Sequence, residues 1–416
     1  MIQLGIIADD FTGASDIASF LVENGLRTVQ MNGIPQRPLP DGVDAVVISL
    51  KSRSNPVDEA IAQSLAALDW LRAQDCRQFY FKYCSTFDST AQGNIGPVTD
   101  ALLDALGEDF TVISPALPVN GRTIFNGYLF VGEVLLNESG MRNHPITPMT
   151  DASLIRLMDA QSRGKTGLVA YPDVARGAAR VRERFAELRR DGYRYAVLDS
   201  VDNSQLAILA DACADLKLLT GGSGLGAYVA ARLSGGKKGS DAFVPRKALT
   251  VALSGSCSVM TNKQVAAYQA IAPTRFVEAE RCIHEGDAYI EELYQWAVAH
   301  LGGEYAPLLY ATVPPDELKA IQQRFGVEKA SHAIEQTFAA LAVKLKAHGV
   351  RNFINAGGET SSIVVQQLGI DGFHIGRQIA PGVPWLRVLD DDLYLALKSG
   401  NFGSEDFFAH AQGMFA

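Results

Sequence analysis

Near its start the chain reads Ile7-Ala8-Asp9-Asp10-Phe11-Thr12-Gly13-Ala14-Ser15-Asp16, where an apolar run gives way to two carboxylates and then to a helical pattern. The apolar run at residues 4–8 predicts a buried strand. After residue 12, apolar residues recur at the i, i+3, i+4 and i+7 spacing of an amphipathic helix. A buried strand that passes directly into a helix is typical of α/β sheets.

The two carboxylates follow the predicted strand at the place where open α/β sheets bind their ligands. Successive side chains of an extended chain point in opposite directions, so Asp9 and Asp10 should have different roles. Asp is also favoured at helix starts, and both residues could simply cap the helix and face solvent. The motif alone leaves these two interpretations equally open.

Length and charge indicate a two-domain protein with small-molecule ligands. The chain has 416 residues, which is more than one hydrophobic core usually serves. Its 37 basic and 46 acidic residues give a net charge of −9, which argues against nucleic-acid and anionic-membrane partners. An anionic small substrate stays compatible with this charge if local basic residues bind it.

Neither a membrane segment nor a secretion signal is expected. No segment approaches the roughly 20 apolar residues of a membrane span, and no Lys or Arg precedes Arg27. The five cysteines form no CxxC pair and the seven histidines are scattered, so we predict reduced thiols and no visible metal cluster. A cytoplasmic location follows from this pattern.

Strand and helix patterns alternate through the first half of the chain. Strands are predicted at 45–49, 78–83, 110–114, 167–170, 195–198 and 216–219, and helices at 58–72, 95–106, 174–190 and 204–214. Residues 233–241, rich in Gly, Ser and Lys, form the predicted linker.

A second series of strands and helices follows the linker. Strands are predicted at 249–253, 307–312 and 352–356, helices at 260–271, 287–300 and 328–348, and shorter strands with a terminal helix after residue 372. We therefore predict two α/β domains with mainly parallel sheets and an interdomain cleft, at residues 1–235 and 245–416.

Polar and basic side chains follow several predicted strands of the first domain. Residues 82–90 gather a cation, a carboxylate and four hydroxyls, which suits a sugar-acid pocket. The alternative is a turn with local side-chain-to-backbone hydrogen bonds, which we favour for Ser89 and Thr90. Arg53 and Arg122 follow other strands and carry planar guanidinium groups suited to carboxylate or phosphate.

Three Gly/Ser segments of the second domain, at residues 254–258, 357–362 and 399–404, each follow or approach a regular element. Glycine lets backbone N–H groups approach phosphate oxygens, and helix N-termini add a favourable dipole. Three such segments in one domain predict a polyphosphate site.

The glycine run at 221–226 does not fit the dinucleotide-binding pattern G-x-G-x-x-G, and the chain has no Walker sequence. Neither an NAD enzyme nor a P-loop kinase is therefore supported. The 221–226 run either lines the cleft or packs tightly.

Together these motifs resemble the four-carbon acid sugar kinase family, whose members join an N-terminal sugar-binding domain to a C-terminal nucleotide-binding domain. The matching segments span nearly the whole chain in order, at 8–14, 121–123, 221–224, 254–256, 357–360 and 398–404. Residues 82–90 and 93–97 are similar to the branch of the family that acts on 3-oxo-tetronate, and the threonate and erythronate branches are its neighbours.

The resemblance implies that ATP, with Mg²⁺ as its counter-ion, donates the γ-phosphoryl group to the 4-hydroxyl of the sugar acid. The metal ligands remain unknown. Nucleotide contacts are then expected at the three Gly/Ser segments, namely at Ser254, Ser256, Gly357, Gly358, Glu359, Thr360, Gly400 and Gly403. The sugar acid is expected against the N-terminal domain, at Asp9, Asp10, Thr12, Arg53, Lys82, Ser85, Asp88 and Arg122.

Phosphoryl transfer depends mainly on positioning and charge stabilisation, and a carboxylate often orients the attacking hydroxyl. We predict Asp10 for this catalytic role, with Asp88 as the second candidate, and expect capping for one of the two adjacent aspartates. Arg53 and Lys82 would neutralise the substrate carboxylate, and Arg122 would do the same or stabilise the transferring phosphate. Closure over the linker is expected to exclude water.

Two alternatives stay open at this point. The first is a kinase of the same family that prefers D-threonate or D-erythronate. The second is a non-catalytic protein that binds ATP and sugar acids to change shape, against which the paired carboxylates and the set of phosphate-type segments argue. A homo-oligomer also remains open.

Overall fold

The computed structural model describes residues 2–144, 147–239 and 242–416, and these divide into two compact units. One unit precedes Ala242 and the other spans 242–416. Both are α/β, so the predicted class of two α/β domains with mainly parallel sheets is confirmed. The domain limits 1–235 and 245–416 stay a prediction, and Ser240 and Asp241 of the predicted linker lie outside the described residues.

The N-terminal unit alternates strands and helices along most of its length. Its strands are β1 (Leu4–Ala8), β2 (Thr28–Asn32), β3 (Ala45–Ser49), β4 (Gln78–Lys82), β5 (Thr111–Ser114), β6 (Arg122–Phe125), β7 (Tyr128–Val131), β8 (Val134–Leu135), β9 (Thr166–Val169), β10 (Tyr195–Leu198) and β11 (Leu218–Gly221). Its helices are α1 (Phe11–Glu23), α2 (Val57–Ala73), α3 (Ile95–Leu106), α4 (Leu154–Gln161), α5 (Tyr171–Val174), α6 (Ala178–Arg190), α7 (Asn203–Ala212) and α8 (Ser223–Leu233).

The main sheet of this unit is parallel, with the strand order β2-β3-β1-β4-β11-β5-β10-β9. β1 lies between β3 and β4, and its last residue Ala8 pairs with Ser49 and with Lys82. Since all three strands run in the same direction, the loops that follow them meet at one edge of the sheet. Those loops carry most of the polar residues predicted to bind the sugar acid.

The sequence patterns missed several elements whose signals are weak. β2 contains Gln30 in the middle of its apolar residues, and this buried amide accepts a hydrogen bond of 2.9 Å from Ser15 of α1. β6, β7 and β8 form a separate antiparallel sheet whose residues are mostly half-buried or exposed. Both features depend on tertiary neighbours, which alternation of polar and apolar residues does not reveal.

The glycine run at 221–226 packs tightly against the residues after β5. A Cβ atom on Gly222 would lie 2.7 Å from the carbonyl oxygen of Pro115, and one on Gly224 would lie 2.2 Å from that of Ala116. Backbone contacts this close explain the glycines by packing alone, which was one of the two interpretations of this run.

In the C-terminal unit the strand order of the sheet is β13-β14-β12-β15-β18-β17-β16, formed by the strands β12 (Thr250–Ser254), β13 (Thr274–Phe276), β14 (Leu308–Tyr310), β15 (Asn352–Ala356), β16 (Gly372–Ala380), β17 (Val383–Val388) and β18 (Tyr394–Lys398). It is parallel from β13 to β18 and antiparallel at β17 and β16. Its helices are α9 (Val259–Gln269), α10 (Ala279–His284), α11 (Asp287–Ala299), α12 (Pro315–Phe325), α13 (Val327–His348), α14 (Gly358–Gln367) and α15 (Phe407–Gly413).

One core of this unit packs one face of the sheet against α9 and α15. Ile354 and Trp385 of the sheet meet Tyr268 of α9 and Phe408 of α15 in a buried cluster. Burial of such large side chains is the main stabilising contribution to the unit. None of the helices in the described part of the chain is long and apolar enough to cross a membrane.

Candidate functional site

The loops after β1, β3 and β4 bring carboxylates and cations together in the N-terminal unit. Arg53, from the loop after β3, donates from Nε and Nη2 to the two oxygens of Asp9 at 3.0 and 2.8 Å. Its Nη2 also donates to Asp10 at 2.8 Å, and its Nη1 lies 3.8 Å from Asp88. One guanidinium group therefore joins three of the predicted carboxylates.

Arg53 is held in place by a residue that the sequence analysis did not single out. The Asn94 amide donates to the backbone carbonyls of Ser52 and Asn55, each at 2.9 Å. Asn94 is the N-cap residue of α3 but makes no side-chain capping bond there, since its amide is bound to the Arg53 loop. The sequence signals for this role were a cap-type residue before a helix and the place of Asn94 in the 93–97 segment of the family resemblance.

Asp10 is the residue that caps α1. It accepts hydrogen bonds from the Gly13 amide at 3.0 Å and from the Thr12 hydroxyl at 2.9 Å. About a quarter of its side chain is exposed, against 7% for Asp9. Asp10 is thus both the helix cap and the more exposed of the two aspartates. The sequence prediction instead divides capping and catalysis between Asp9 and Asp10.

The pKa values of the two aspartates move in opposite directions. Burial works against the charged form of Asp10, but the charges of Arg53 and Lys82 and its hydrogen bonds outweigh burial and lower its pKa. For Asp9 burial prevails over its contacts with Arg53 and raises the pKa. Asp10 therefore stays ionised at neutral pH and can accept a hydrogen bond from a ligand hydroxyl.

Lys82 at the end of β4 is almost fully buried. Its ammonium donates to the carbonyl of Tyr83 at 2.9 Å and lies 3.4 Å from a carboxylate oxygen of Asp16 on α1. The Ser223 hydroxyl donates to the same oxygen of Asp16, and burial raises the pKa of this carboxyl. Lys82 is thus paired with Asp16 behind the first turn of α1. A ligand could contact the Lys82 ammonium directly only if this ion pair opened.

Asp88 is placed by an unusual backbone conformation. Phe87 and Asp88 both have positive φ angles, 66° and 42°, a region that residues with a Cβ seldom adopt. The buried Phe87 ring packs edge-on against Tyr83, and the Asp88 carboxylate accepts from Thr86 at 2.7 Å. This packing holds the strained turn that directs Asp88 towards Arg53.

Two other predicted sugar-acid residues lie outside this set of contacts. Ser85 is buried in the loop after β4. Arg122 begins β6 and donates to the carbonyl of Asn120 in its own turn, while its buried Nε has no hydrogen-bond partner among the described residues.

We use the name carboxylate cluster for the charged groups that Arg53 and Lys82 hold together. It consists of Asp9, Asp10, Asp16, Arg53, Lys82 and Asp88.

The three Gly/Ser segments of the C-terminal unit lie against one another. A Cβ atom on Gly255 would lie 2.2 Å from the Thr360 hydroxyl, and one on Gly400 would lie 2.8 Å from the Ser256 hydroxyl. Gly357, with a φ of 122°, lies 3.2 Å by the same measure from the Ser256 amide. The segments predicted separately from the sequence therefore lie in contact with one another, and their close approach favours glycine.

Ser254 and Gly403 have structural surroundings within this site. Ser254 is fully buried, and its hydroxyl lies 2.7 Å from that of Thr312. Gly403 has a φ of 82°, and a Cβ atom there would meet the ring of Phe407. Gly358 and Glu359 open α14, so that the N-terminal amides of this helix lie beside the segment at 254–258.

A cavity of about 250 Å³ opens beside these segments. One wall is polar and consists of residues 255–257 and 357–360. The apolar wall is formed by Val313, Leu318, Ile321, Ala330 and Ile334, and Gln322, Ser331 and Glu335 also line the cavity. A cavity with a polar floor, formed by the two Gly/Ser segments, and an apolar wall suits a ligand that has both an anionic and an apolar part.

The apolar wall was missed in the sequence analysis. α12 has no buried residue, yet its Leu318 and Ile321 line the cavity, three residues apart on one helical face. An amphipathic helix whose apolar face is not covered by the core was the available signal. Glu335 of α13 and Glu359 of α14 also line the cavity, and within the described ranges no group of three or more His, Cys, Asp or Glu side chains could hold a metal.

Comparison with known proteins agrees with this division. Residues 4–229 match the family model described as a sugar-binding N-terminal domain, and residues 251–408 match that described as a nucleotide-binding C-terminal domain. The chain therefore belongs to the four-carbon acid sugar kinase family, as the sequence motifs predicted.

The similar proteins include several that bear the same name. A 3-oxo-tetronate kinase of Haemophilus influenzae is 74% identical over 99% of this chain and all of its own length. A 3-oxo-tetronate kinase of Salmonella typhimurium is 55% identical, with both chains covered in full. The crystal structure of the Haemophilus influenzae protein HI1011 has a TM-score of 0.82 at 73% identity and covers 99% of this chain and 100% of its own.

Proposed function

We propose that this protein is an ATP-dependent kinase that phosphorylates the 4-hydroxyl of 3-oxo-tetronate and releases ADP. The observation that carries the proposal is the full-length identity of 55–74% to proteins named for this activity. The carboxylate cluster and the cavity support it, since each supplies one half of the chemistry that a sugar-acid kinase needs.

Asp10 is proposed as the catalytic carboxylate on the sugar side. Its side chain is partly exposed, and its lowered pKa keeps it ionised. In this state it accepts the hydrogen of the attacking hydroxyl and orients the oxygen for transfer. Asp88 takes the same role as second candidate, because it is bound to the same guanidinium group at a longer distance.

Arg53 is proposed to bind the substrate carboxylate. Its Nε and Nη2 are occupied by Asp9 and Asp10, and its Nη1 approaches Asp88 only to 3.8 Å. Nη1 can therefore donate to a ligand oxygen without breaking the existing pairs. Thr12, Ser85 and Arg122 remain proposed substrate contacts, and Lys82 acts through the charge it places behind α1.

The cavity of the C-terminal unit is proposed as the ATP site. The amides at the start of α14 suit the phosphates, and the apolar residues Leu318, Ile321 and Ile334 suit the adenine ring. Mg²⁺ would accompany ATP, with the phosphates as its main ligands and Glu335 or Glu359 as the acidic side chains within the cavity. We also propose that this protein binds neither nucleic acids nor membranes.

The test is an ATP-consumption assay with 3-oxo-tetronate, D-threonate and D-erythronate side by side. We expect the highest kcat/KM with 3-oxo-tetronate and mass-spectrometric detection of one added phosphate on its 4-oxygen. A higher kcat/KM with D-threonate or D-erythronate would move the protein to a neighbouring branch. No ADP release with any of the three acids would leave the non-catalytic binding protein as the better reading.

A further inference from the structure

Lys398, the last residue of β18, has an ammonium group that is fully buried beside the nucleotide segments. Its Nζ donates to the carbonyls of Ser399 and Gly400, at 3.1 and 2.7 Å, and to the Thr261 hydroxyl at 3.0 Å. Three donors thus meet three acceptors, all of them neutral. A buried charge without a counter-ion is costly, so a residue of this kind calls for a functional explanation.

The contacts of Lys398 determine the course of the segment that follows it. In a trans peptide the carbonyl and the next amide N–H point in opposite directions. Because the carbonyls of Ser399 and Gly400 point to the ammonium, the N–H groups of Gly400 and Asn401 point away from it. Within the described residues these two N–H groups donate no hydrogen bond. Two successive free N–H groups form an anion-binding concavity.

Lys398 also connects this segment to the other two. Its backbone carbonyl accepts from the Gly357 amide at 2.8 Å, directly before α14. The Thr261 hydroxyl donates to the Gly400 carbonyl at 2.7 Å and lies 3.1 Å from the Ser256 hydroxyl. All three Gly/Ser segments, two of which line the cavity, are therefore within one or two hydrogen bonds of this lysine.

We propose that Lys398 is the positioning residue of the nucleotide site, which holds the Gly400 and Asn401 amides towards the phosphates and receives from the phosphates the negative charge that its own surroundings lack. This inference rests on the proposed ATP site. A protonated Lys398 is favoured by a bound polyphosphate, so nucleotide binding and protonation of the lysine are linked and reinforce each other.

The surroundings of Lys398 make this linkage measurable near neutral pH. Burial alone lowers the pKa of its ammonium to about 7. Lys263 and Glu405 pair with each other at the surface at 3.2 Å, and Asp406 accepts from Ser404. The titratable groups on the elements around Lys398 are Cys257, Lys263, Tyr268, Glu359, Arg387, Tyr394, Glu405, Asp406 and His410.

The experiment is calorimetric titration of the full chain with MgADP between pH 7 and 8.5, in two buffers that differ in heat of ionisation. Lys398→Arg keeps a fixed charge, and Lys398→Met removes it. We expect the wild type to take up a larger fraction of a proton per bound nucleotide than Lys398→Arg. Lys398→Met should bind roughly tenfold to a hundredfold more weakly, the cost of a lost charged hydrogen-bonding group.

Lys263→Met is the matched control, since it removes a lysine of α9 whose partner is at the surface. It should keep the affinity and the proton uptake of the wild type. If Lys398→Met does not fold, the difference in proton uptake between wild type and Lys398→Arg decides the question. Equal proton uptake in these two proteins overturns the proposal, whereas the proposed function fails only if the wild type consumes no ATP with the three acids.

Discussion

The carboxylate cluster and the cavity of the C-terminal unit are built by opposite means. In the cluster, four carboxylates surround Arg53 and Lys82, and side chains provide almost every contact. The cavity floor is formed by residues 255–257 and 357–360, and Lys398 is buried beside these segments and paired to neutral oxygens. The carboxylate cluster is therefore organised to hold a hydroxyl beside a negative charge. The cavity with Lys398 beside it is organised to bind a negatively charged group.

The largest expected effect tests the sugar side. Asp10→Asn keeps a residue that caps helices well but loses the charge that orients the hydroxyl. Turnover should fall roughly 100- to 10,000-fold, while the dissociation constant of MgADP should stay near that of the wild type. Steady-state kinetics and calorimetry measure the two quantities.

The matched control for this variant is Asp202→Asn. Asp202 caps α7 in the same unit through Ser204 and Gln205, and it belongs to no proposed site. Its replacement should leave turnover unchanged. Near-normal turnover in Asp10→Asn would remove Asp10 from the mechanism and direct attention to Asp88.

The next effect concerns close approach in the cavity floor. A methyl group on Gly255 would lie 2.2 Å from the Thr360 hydroxyl, so Gly255→Ala must turn the Thr360 side chain or displace one of the two segments that meet there. We expect kcat/KM for ATP to fall about a hundredfold, as a displacement of about 1 Å can cause. Gly413→Ala, where a methyl group meets no atom within 4 Å, is the control. Equal kinetics in the two variants would show that the floor does not bind the phosphates.

A smaller effect is expected on the apolar wall. Ile321→Ala shortens a side chain that lines the cavity on a helix with no buried residue. The KM for ATP should rise roughly fivefold to tenfold from the lost apolar contact, with little change in thermal stability. Lys319→Ala on the exposed side of α12 should change neither quantity. A large drop in melting temperature for Ile321→Ala would instead mark the wall as core.

The last effect is a pH dependence of stability, which leaves the affinity for substrates aside. The folded pKa of Lys398, about 7, lies below the usual value of a lysine, so the unfolded chain holds a proton that the folded chain releases. Stability from this group therefore rises as the pH increases from 7 towards 10, by about 1.4 kcal/mol per pH unit at most. Lys398→Met should lack this rise in melting temperature, and Lys263→Met should retain it. Parallel pH profiles of Lys398→Met and the wild type would contradict this assignment.

Much of the architecture could be predicted because the patterns that carry it are local. Leu4–Ala8 and Asn352–Ala356 are uninterrupted buried strands, and both were predicted with their exact limits. The three Gly/Ser segments were visible because close backbone approach requires glycine. The antiparallel sheet of β6, β7 and β8 was missed because its half-exposed residues show no clear period.

The sequence by itself determined the two α/β domains, the family, and the segments that carry the polar groups, because periodicity and glycine are written in the order of residues. Only the tertiary structure decided which groups meet. It paired Arg53 with Asp9 and Asp10, turned Lys82 inward to Asp16, and made Asp10 the helix cap. Burial, pairing and pKa depend on neighbours distant in the chain, and no local pattern records those neighbours.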